Sequence, residues 1–335
     1  MNHAYARTGR DDSGQFASGA PKLNWESAGR VLASHFADRH VEPLDLSEFT
    51  VLSPDGLTWL LALTAWRARQ ENWATEIHLP RDPRTLAYLR ELGFVDLYQL
   101  SGGLIVNEFV LWNSEIDRIE DRLRRKFESA GRNSPRFIQR VGSNWQNVIG
   151  GVHAYFMEYF PGRLGVDALS DVMWDSRPFQ YAVEEIIMNV AVHAGVGFAC
   201  YRPWRNHPVL RFSCSDVGGG FLATLRHKAV ARQPKTDVAA ILEGLLYRHY
   251  APESGVIGLY NALEFLRSFR GRLQIHSGSG VVELDLRSQA HQKQFDEGYA
   301  SGDPAWLRKL CQLRTVPAVA GTHIALDLTT PRAAH

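Results

Sequence analysis

Cysteine is scarce in this chain. Cys200, Cys214 and Cys311 lie far apart with no Cys-x-x-Cys pair, which speaks against both a disulfide framework and a zinc site. A reducing, cytoplasmic setting is therefore expected. An excess of charge of either sign is also lacking. The 37 basic residues face 36 acidic ones, for a net charge of +1, so no global field draws the chain to nucleic acid or to an anionic membrane. A polyanion would have to be recognised locally. No apolar run reaches the roughly 18 residues of a membrane span, and the N-terminus lacks the apolar core of a secretion signal. The composition, 45% apolar and 22% charged over 335 residues, is that of a soluble globular protein with room for two domains.

Residues 1–22 are rich in Gly, Ser, Ala, Asp and Arg without periodicity and read as a disordered leader. Trp25 to Asp38 suits a short helix, and Val41 to Ser47 a strand-like run. Ser53-Pro-Asp-Gly-Leu57 opens a leucine-rich helix reaching Gln70, with Ser53 as N-cap and Pro54 at the first helical position. Ala74 to Leu79 reads as a strand ended by Pro80, and Pro83 to Leu92 as a helix stopped by Gly93. This alternation predicts an α/β domain over residues 23–104. With Leu44-Asp-Leu-Ser47 and Tyr88-Leu-Arg-Glu-Leu-Gly-Phe94, it resembles a STAS domain, the fold of bacterial anti-sigma-factor antagonists. In those antagonists a phosphoaccepting serine directly precedes the Gly-Leu pair. Here that position is Asp55, so the resemblance implies a fixed carboxylate in place of a switch. Placed in the first helical turn, Asp55 also suits the helix dipole.

Residues 105–150 read as a helical connector. Ile116, Ile119 and Leu123 recur at helical spacing within Asn113 to Lys126, where five basic and four acidic residues interleave as on a solvated or dimerising helix. No histidine lies between Asn107 and Val152, so a phosphoaccepting histidine helix is not expected there.

The chemistry concentrates between residues 151 and 330. Val183, Ile186, Ile187, Val190, Ala191 and Ala194 form one apolar stripe, while Glu185, Asn189 and His193 follow at i, i+4, i+8 on a polar side. A carboxylate one turn before a carboxamide suits a site where one group orients water and the other ligates a hard cation. Val209 to Ser215 alternates like a half-buried strand and runs into Asp216-Val-Gly-Gly-Gly-Phe221. Glycines after a strand-end aspartate let backbone approach a flat ligand while the carboxylate accepts a hydrogen bond. Leu222 to Ser254 is polar, helix-like around Thr236 to Tyr247, and suits a lid. Gly255-Val-Ile-Gly-Leu-Tyr-Asn261 then leads into a helix whose N-terminal amides suit phosphate. Leu273 to Ser277 and Val281 to Leu286 flank Gly278-Ser-Gly280 as an expected hairpin, and Gly321 to Leu328 is a last alternating strand.

In this order the motifs resemble the GHKL ATPase superfamily, shared by gyrase-type topoisomerases, sensor histidine kinases and anti-sigma-factor serine kinases. The resemblance implies a Bergerat-type α/β sandwich over 151–330 that binds ATP and Mg²⁺. It would make Glu185 the catalytic carboxylate and Asn189 the Mg²⁺ ligand. Asp216 would read the adenine amino group, with Gly218, Gly220 and Thr322 around the base, Gly255 and Gly258 on phosphate, and His193 beside them. Three departures stand out. Val256-Ile257 occupies the middle of a phosphate loop usually richer in glycine, residues 287–318 form an insertion, and no transducer domain is expected after residue 330. The implied function is that of an ATP-dependent signalling or switch protein that hydrolyses ATP slowly or phosphorylates a protein Ser or Thr. The alternative is an adaptor that senses ATP or ADP without turnover. The expected partner is a protein, including a second copy of the chain, rather than a membrane or nucleic acid.

Overall fold

The computed structural model describes residues 22–37, 42–128, 137–159, 177–203, 209–226, 233–250, 259–269, 271–301 and 305–329. The expected leader lies outside them except for Lys22. The chain opens with β1 (Lys22–Leu23), α1 (Trp25–Ala37), β2 (Leu44–Asp45), β3 (Val51–Leu52) and α2 (Pro54–Gln70). Then follow β4 (Glu76–His78), α3 (Pro83–Glu91), α4 (Phe94–Leu100) and β5 (Leu104–Ile105). Strands β2, β4 and β5 form a parallel sheet in that order, and β1 pairs with β3 in parallel. Ser53 caps α2 as its sequence predicts, its hydroxyl accepting from the Gly56 N–H.

The second half begins with α5 (Ser114–Glu128), β6 (Ile138–Val141), α6 (Trp145–Tyr159) and α7 (Arg177–Asn189). It continues through β7 (Gly197–Pro203), β8 (Val209–Asp216), α8 (Gly220–Arg226), α9 (Asp237–Tyr250) and α10 (Tyr260–Phe269). The last elements are β9 (Arg272–Asp285), α11 (Gln289–Ser301), α12 (Ala305–Leu310) and β10 (Gln312–Thr329). An antiparallel sheet of order β6-β7-β8-β10-β9 carries the site. Mixed helix and strand agree with the α/β expectation. No described helix is long and apolar enough to cross a membrane.

Three local expectations change. The segment read as a helical connector, 105–150, contributes β6 to the main sheet, with Ile138 opposite Cys200. Four residues are too few for their alternation to stand out in sequence. Gly278-Ser-Gly280 does not turn a hairpin. β9 runs straight through it, and both of its halves pair with β10. The turn signature is absorbed by bulges, since the register slips between Thr315 and Val319 and again between Val319 and Thr322. The 287–318 insertion therefore holds α11 and α12 and then the first residues of β10, which extends the sheet.

Strand β8 is not half-buried. Phe212, Ser213, Cys214 and Ser215 are all buried, as is β10 from Gly321 to Asp327. The reason is a third layer. Helix α2 packs on β7, β8 and β10, while α1 packs on α2 and β10. Helix α2 is itself buried nearly all round, including Asp55, Thr58 and Thr64. A helix buried on every side needs neighbours on both faces, and the leucine-rich run from Leu57 to Leu63 supplies the apolar surface for them. One contiguous core joins the two halves, from Leu23 and Trp59 to Phe212 and Ile275.

The polar residues of β8 face this third layer. Arg211 Nη1 donates to Asp55 Oδ2 at 2.9 Å, and its Nε and Nη2 form a fork on the Asp327 carboxylate. Ser215 Oγ lies 3.2 Å from Thr58 Oγ1. Asp55, the residue at the implied switch position, is thus fully buried in an ion pair between the halves.

Candidate functional site

The opposite face of the sheet holds a cavity that opens to solvent. Its sheet-side wall comes from Cys214, Asp216, Thr322 and Ile324, alternate residues of β8 and β10. Its other walls come from α7, from α8, and from Gly244 and Leu259.

Asp216 ends β8, where the chain must turn. Its Oδ1 accepts from the N–H of Gly218 at 2.8 Å and of Thr322 at 3.1 Å, while Oδ2 has no protein donor among the described residues. Burial pushes the carboxyl pKa up to about 6, and the two N–H donors pull against that rise without cancelling it. The result is an acceptor group poised near neutrality in a mostly apolar cavity. Two glycines make the turn possible. Gly220 has φ +76°, and an added Cβ would come 2.5 Å from Ser277 Oγ. Gly321 has φ +81°, and a Cβ there would lie 1.9 Å from the Asp216 carbonyl oxygen. Ser277 closes the arrangement by accepting from the Phe221 N–H at 3.0 Å.

Helix α7 ends at Asn189 and widens into a π turn over Val190–Ala194, which Gly195 terminates at φ +73°. Such turns recur at functional sites. Asn189 and His193 both line the cavity, as do Ile186 and Val190. Glu185 does not. Its buried carboxylate accepts from the backbone N–H of Asn261 at 2.9 Å, and Asn261 Nδ2 lies 3.5 Å from its other oxygen. A carboxylate on amides at the start of α10 stabilises that end of the helix. The i, i+4, i+8 row is therefore split between a helix-anchoring Glu185 and two cavity residues.

Asn189, His193, Asp216, Gly218, Gly220 and Thr322 are brought together by the fold. Gly255 and Gly258 lie outside the described residues. The expected lid carries α8 and α9, the latter close to the helix read around Thr236 to Tyr247. The first residue of α9 is tied down, since Asp237 Oδ2 accepts from both the N–H and the hydroxyl of Ser279 at 2.9 Å. Gly321 and Ser277 were visible in the sequence only as strand residues. Cys214, Leu225 and Ile324 carry the same apolar signature as core positions, so nothing in sequence separates them from packing residues. The Cys214 thiol is held well above its usual range by burial and, secondarily, by the nearby Asp216 carboxylate, so it is a neutral wall rather than a nucleophile. No cluster of three or more His, Cys, Asp or Glu that could hold a metal occurs among the described residues.

The chain was compared with protein-family models, curated proteins and solved structures, and none matches.

Proposed function

We propose that this cavity binds the base of a purine nucleotide, ATP with Mg²⁺, and that the protein is a GHKL-like nucleotide-dependent switch with a STAS-like N-terminal region. The observation that carries the reading is Asp216. One of its oxygens is fixed by two backbone amides, and the other is left for a donor from a ligand. An adenine offers an amino group to such an oxygen, whereas the guanine carbonyl at the same ring position would repel it. The apolar walls at Ile186, Val190, Leu225 and Ile324 suit the faces of a flat ring.

Bound Mg²⁺ would supply charge neutralisation on the phosphates. A single protein oxygen, that of Asn189, fits a cation that keeps several waters and binds mainly through phosphate. In the kinase or ATPase version, Glu185 must release Asn261 to reach a nucleophile. Its engagement at the start of α10 favours a second version, a sensor in which nucleotide occupancy alters protein binding without turnover. In both versions a protein partner, including a second copy of the chain, receives the signal, and a cytoplasmic setting supplies ATP.

Full-length protein incubated with Mg²⁺ and γ-labelled ATP separates these outcomes when phosphate release and label retained on protein are followed beside Glu185→Ala and Asp216→Asn. Product that disappears in both variants supports an enzyme. Binding without product, lost in Asp216→Asn, supports the sensor. Wild-type protein that fails to bind ATP at millimolar concentration overturns the nucleotide reading.

A further inference from the structure

Helices α8 and α9 both wall the cavity, and both begin against the same bulged stretch of β9, Ser277 to Gly280. At α8 the contact is a single hydroxyl. The Phe221 N–H is one of the amides that a helix start leaves without an intrahelical partner. The fully buried Ser277 Oγ accepts it at 3.0 Å. That hydroxyl also lies 3.4 Å from both the Gly321 carbonyl oxygen and Thr322 Oγ1, so its proton faces β10 while a lone pair holds α8. Thr322 stands opposite Ser277 in the ladder, and its own N–H donates to Asp216 Oδ1. The turn from Asp216 to Phe221 is therefore pinned at both ends, by Thr322 at the carboxylate and by Ser277 at the helix start.

At α9 the contact is a carboxylate. Asp237 occupies the first helical position, where it suits the helix dipole. It also reaches across to β9, where Oδ2 accepts from the N–H and the hydroxyl of Ser279. Ser279 lies where the register slips, pairs with no β10 residue, and takes α9 as its partner instead. The flanking glycines permit the approach. Gly278 has φ +58°, and a Cβ there would come 2.5 Å from the Asp237 carboxyl carbon, while a Cβ at Gly280 would come 2.6 Å from the Val238 nitrogen.

Neither Ser277 nor Asp237 lines the cavity. What they fix is the position of residues that do, namely Asp216, Gly218 and Phe221 through Ser277, and Gly244 through Asp237.

We propose that Ser277 and Asp237 are positioning residues of the nucleotide site, a clasp on β9 that sets the starts of α8 and α9 and thereby governs how well the cavity separates adenine from guanine. The inference rests on the nucleotide reading. Separation depends on where Asp216 Oδ2 points, and a hydrogen bond weakens steeply as its angle departs from linear. A turn held at one end only would lose that aim.

The test is calorimetric titration of the full chain with ADP or GDP and Mg²⁺, which avoids turnover, in wild type, Ser277→Ala, Asp237→Ala and Asp237→Asn. Wild type is expected to prefer ADP. Ser277→Ala should lose roughly tenfold in ADP affinity, and the ADP-to-GDP ratio should fall by a similar factor. Asp237→Ala should lose about threefold or more, whereas Asp237→Asn, which keeps an acceptor for Ser279, should stay within about twofold of wild type. Melting curves accompany each titration. A variant of Ser277 that melts lower yet keeps the wild-type affinity and ratio would overturn the proposal, because the residue would then be structural only. If Ser277→Ala does not fold, the Asp237 pair carries the test, and equal ADP affinity of its alanine and asparagine forms would overturn it. Wild type that binds neither nucleotide at millimolar concentration overturns the nucleotide reading and this inference together, whereas a wild-type preference for ADP that every variant retains overturns this inference alone.

Discussion

Arg211 joins two carboxylates that the chain holds far apart, Asp55 at 156 positions' separation and Asp327 at 116. Both are buried, and the guanidinium is itself largely covered. The pairing with both carboxylates raises the Arg211 pKa above its already high value despite burial, so the cation persists at all accessible pH. This triad ties α2 to β8 and β10, the two strands that carry Asp216 and Thr322.

Arg211→Ala strands two buried carboxylates and is expected to cost about 3–5 kcal/mol. Arg211→Lys should recover less than half of that, because an ammonium cannot span a bidentate fork and a third oxygen at once. Urea denaturation measures both. A loss below about 1 kcal/mol for the alanine variant would mean that the triad contributes no net stability.

Acid should destabilise the fold through His276 and His323. Burial holds both imidazoles below the usual histidine pKa, His276 at about 4 and His323 well below its ordinary value, with the neighbouring His276 adding to the depression at His323. The unfolded chain therefore binds more protons below about pH 6.5. Stability is fully present above that pH and is lost as the pH falls toward 4. Melting temperatures from pH 7.5 to 4.5 should decline, and His276→Gln should decline less steeply over the same window. Parallel curves would remove His276 from the explanation.

Asp216 carries the opposite sign. Its folded pKa near 6 exceeds the ordinary carboxyl value of 3.8, so stability is fully present below about pH 3.8, is lost as the pH rises through 6, and changes no further above that. A ligand amino group needs the ionised acceptor. Nucleotide affinity should therefore weaken below about pH 6 relative to Asp216→Asn, which should bind about tenfold more weakly at pH 7.5. Titrations of both proteins at pH 5.5 and 7.5 decide this, because an equal pH response would exclude Asp216 as the proton-linked group.

Glu185 can be tested for two roles at once. Glu185→Gln retains an oxygen for the Asn261 N–H and should melt close to wild type, whereas Glu185→Ala should lose about 1–3 kcal/mol. Under the enzyme reading, both abolish product formation. If the glutamine variant turns over normally while the alanine variant is merely unstable, Glu185 is an anchor for α10 and not a base.

Local structure was legible wherever its causes are local. Ser53 and Pro54 announced the start of α2, Gly93 the end of α3, and the alternation at Val209 to Ser215 a strand. Asp216, Gly218 and Gly220 stood out as a strand-end carboxylate followed by glycines, and the fold sets all three on one cavity. The bend at Gly278 to Gly280 was misread, since bulges and hairpins draw on the same turn residues and only the partner strand distinguishes them.

By itself, the sequence determined the start of α2, the end of α3 and the strand at Val209 to Ser215, where a carboxylate meets a tight backbone turn, and that no strong charge field surrounds the protein. Tertiary structure alone decided what the polar residues of β8 are for. Alternation can mark Arg211, Ser213 and Ser215 as one face, but it cannot distinguish water from Asp55 and Thr58 as the partners of that face. It likewise decided that Glu185 meets Asn261 while Asn189 meets the cavity, because a helix fixes which residues share a side and only packing fixes what that side confronts.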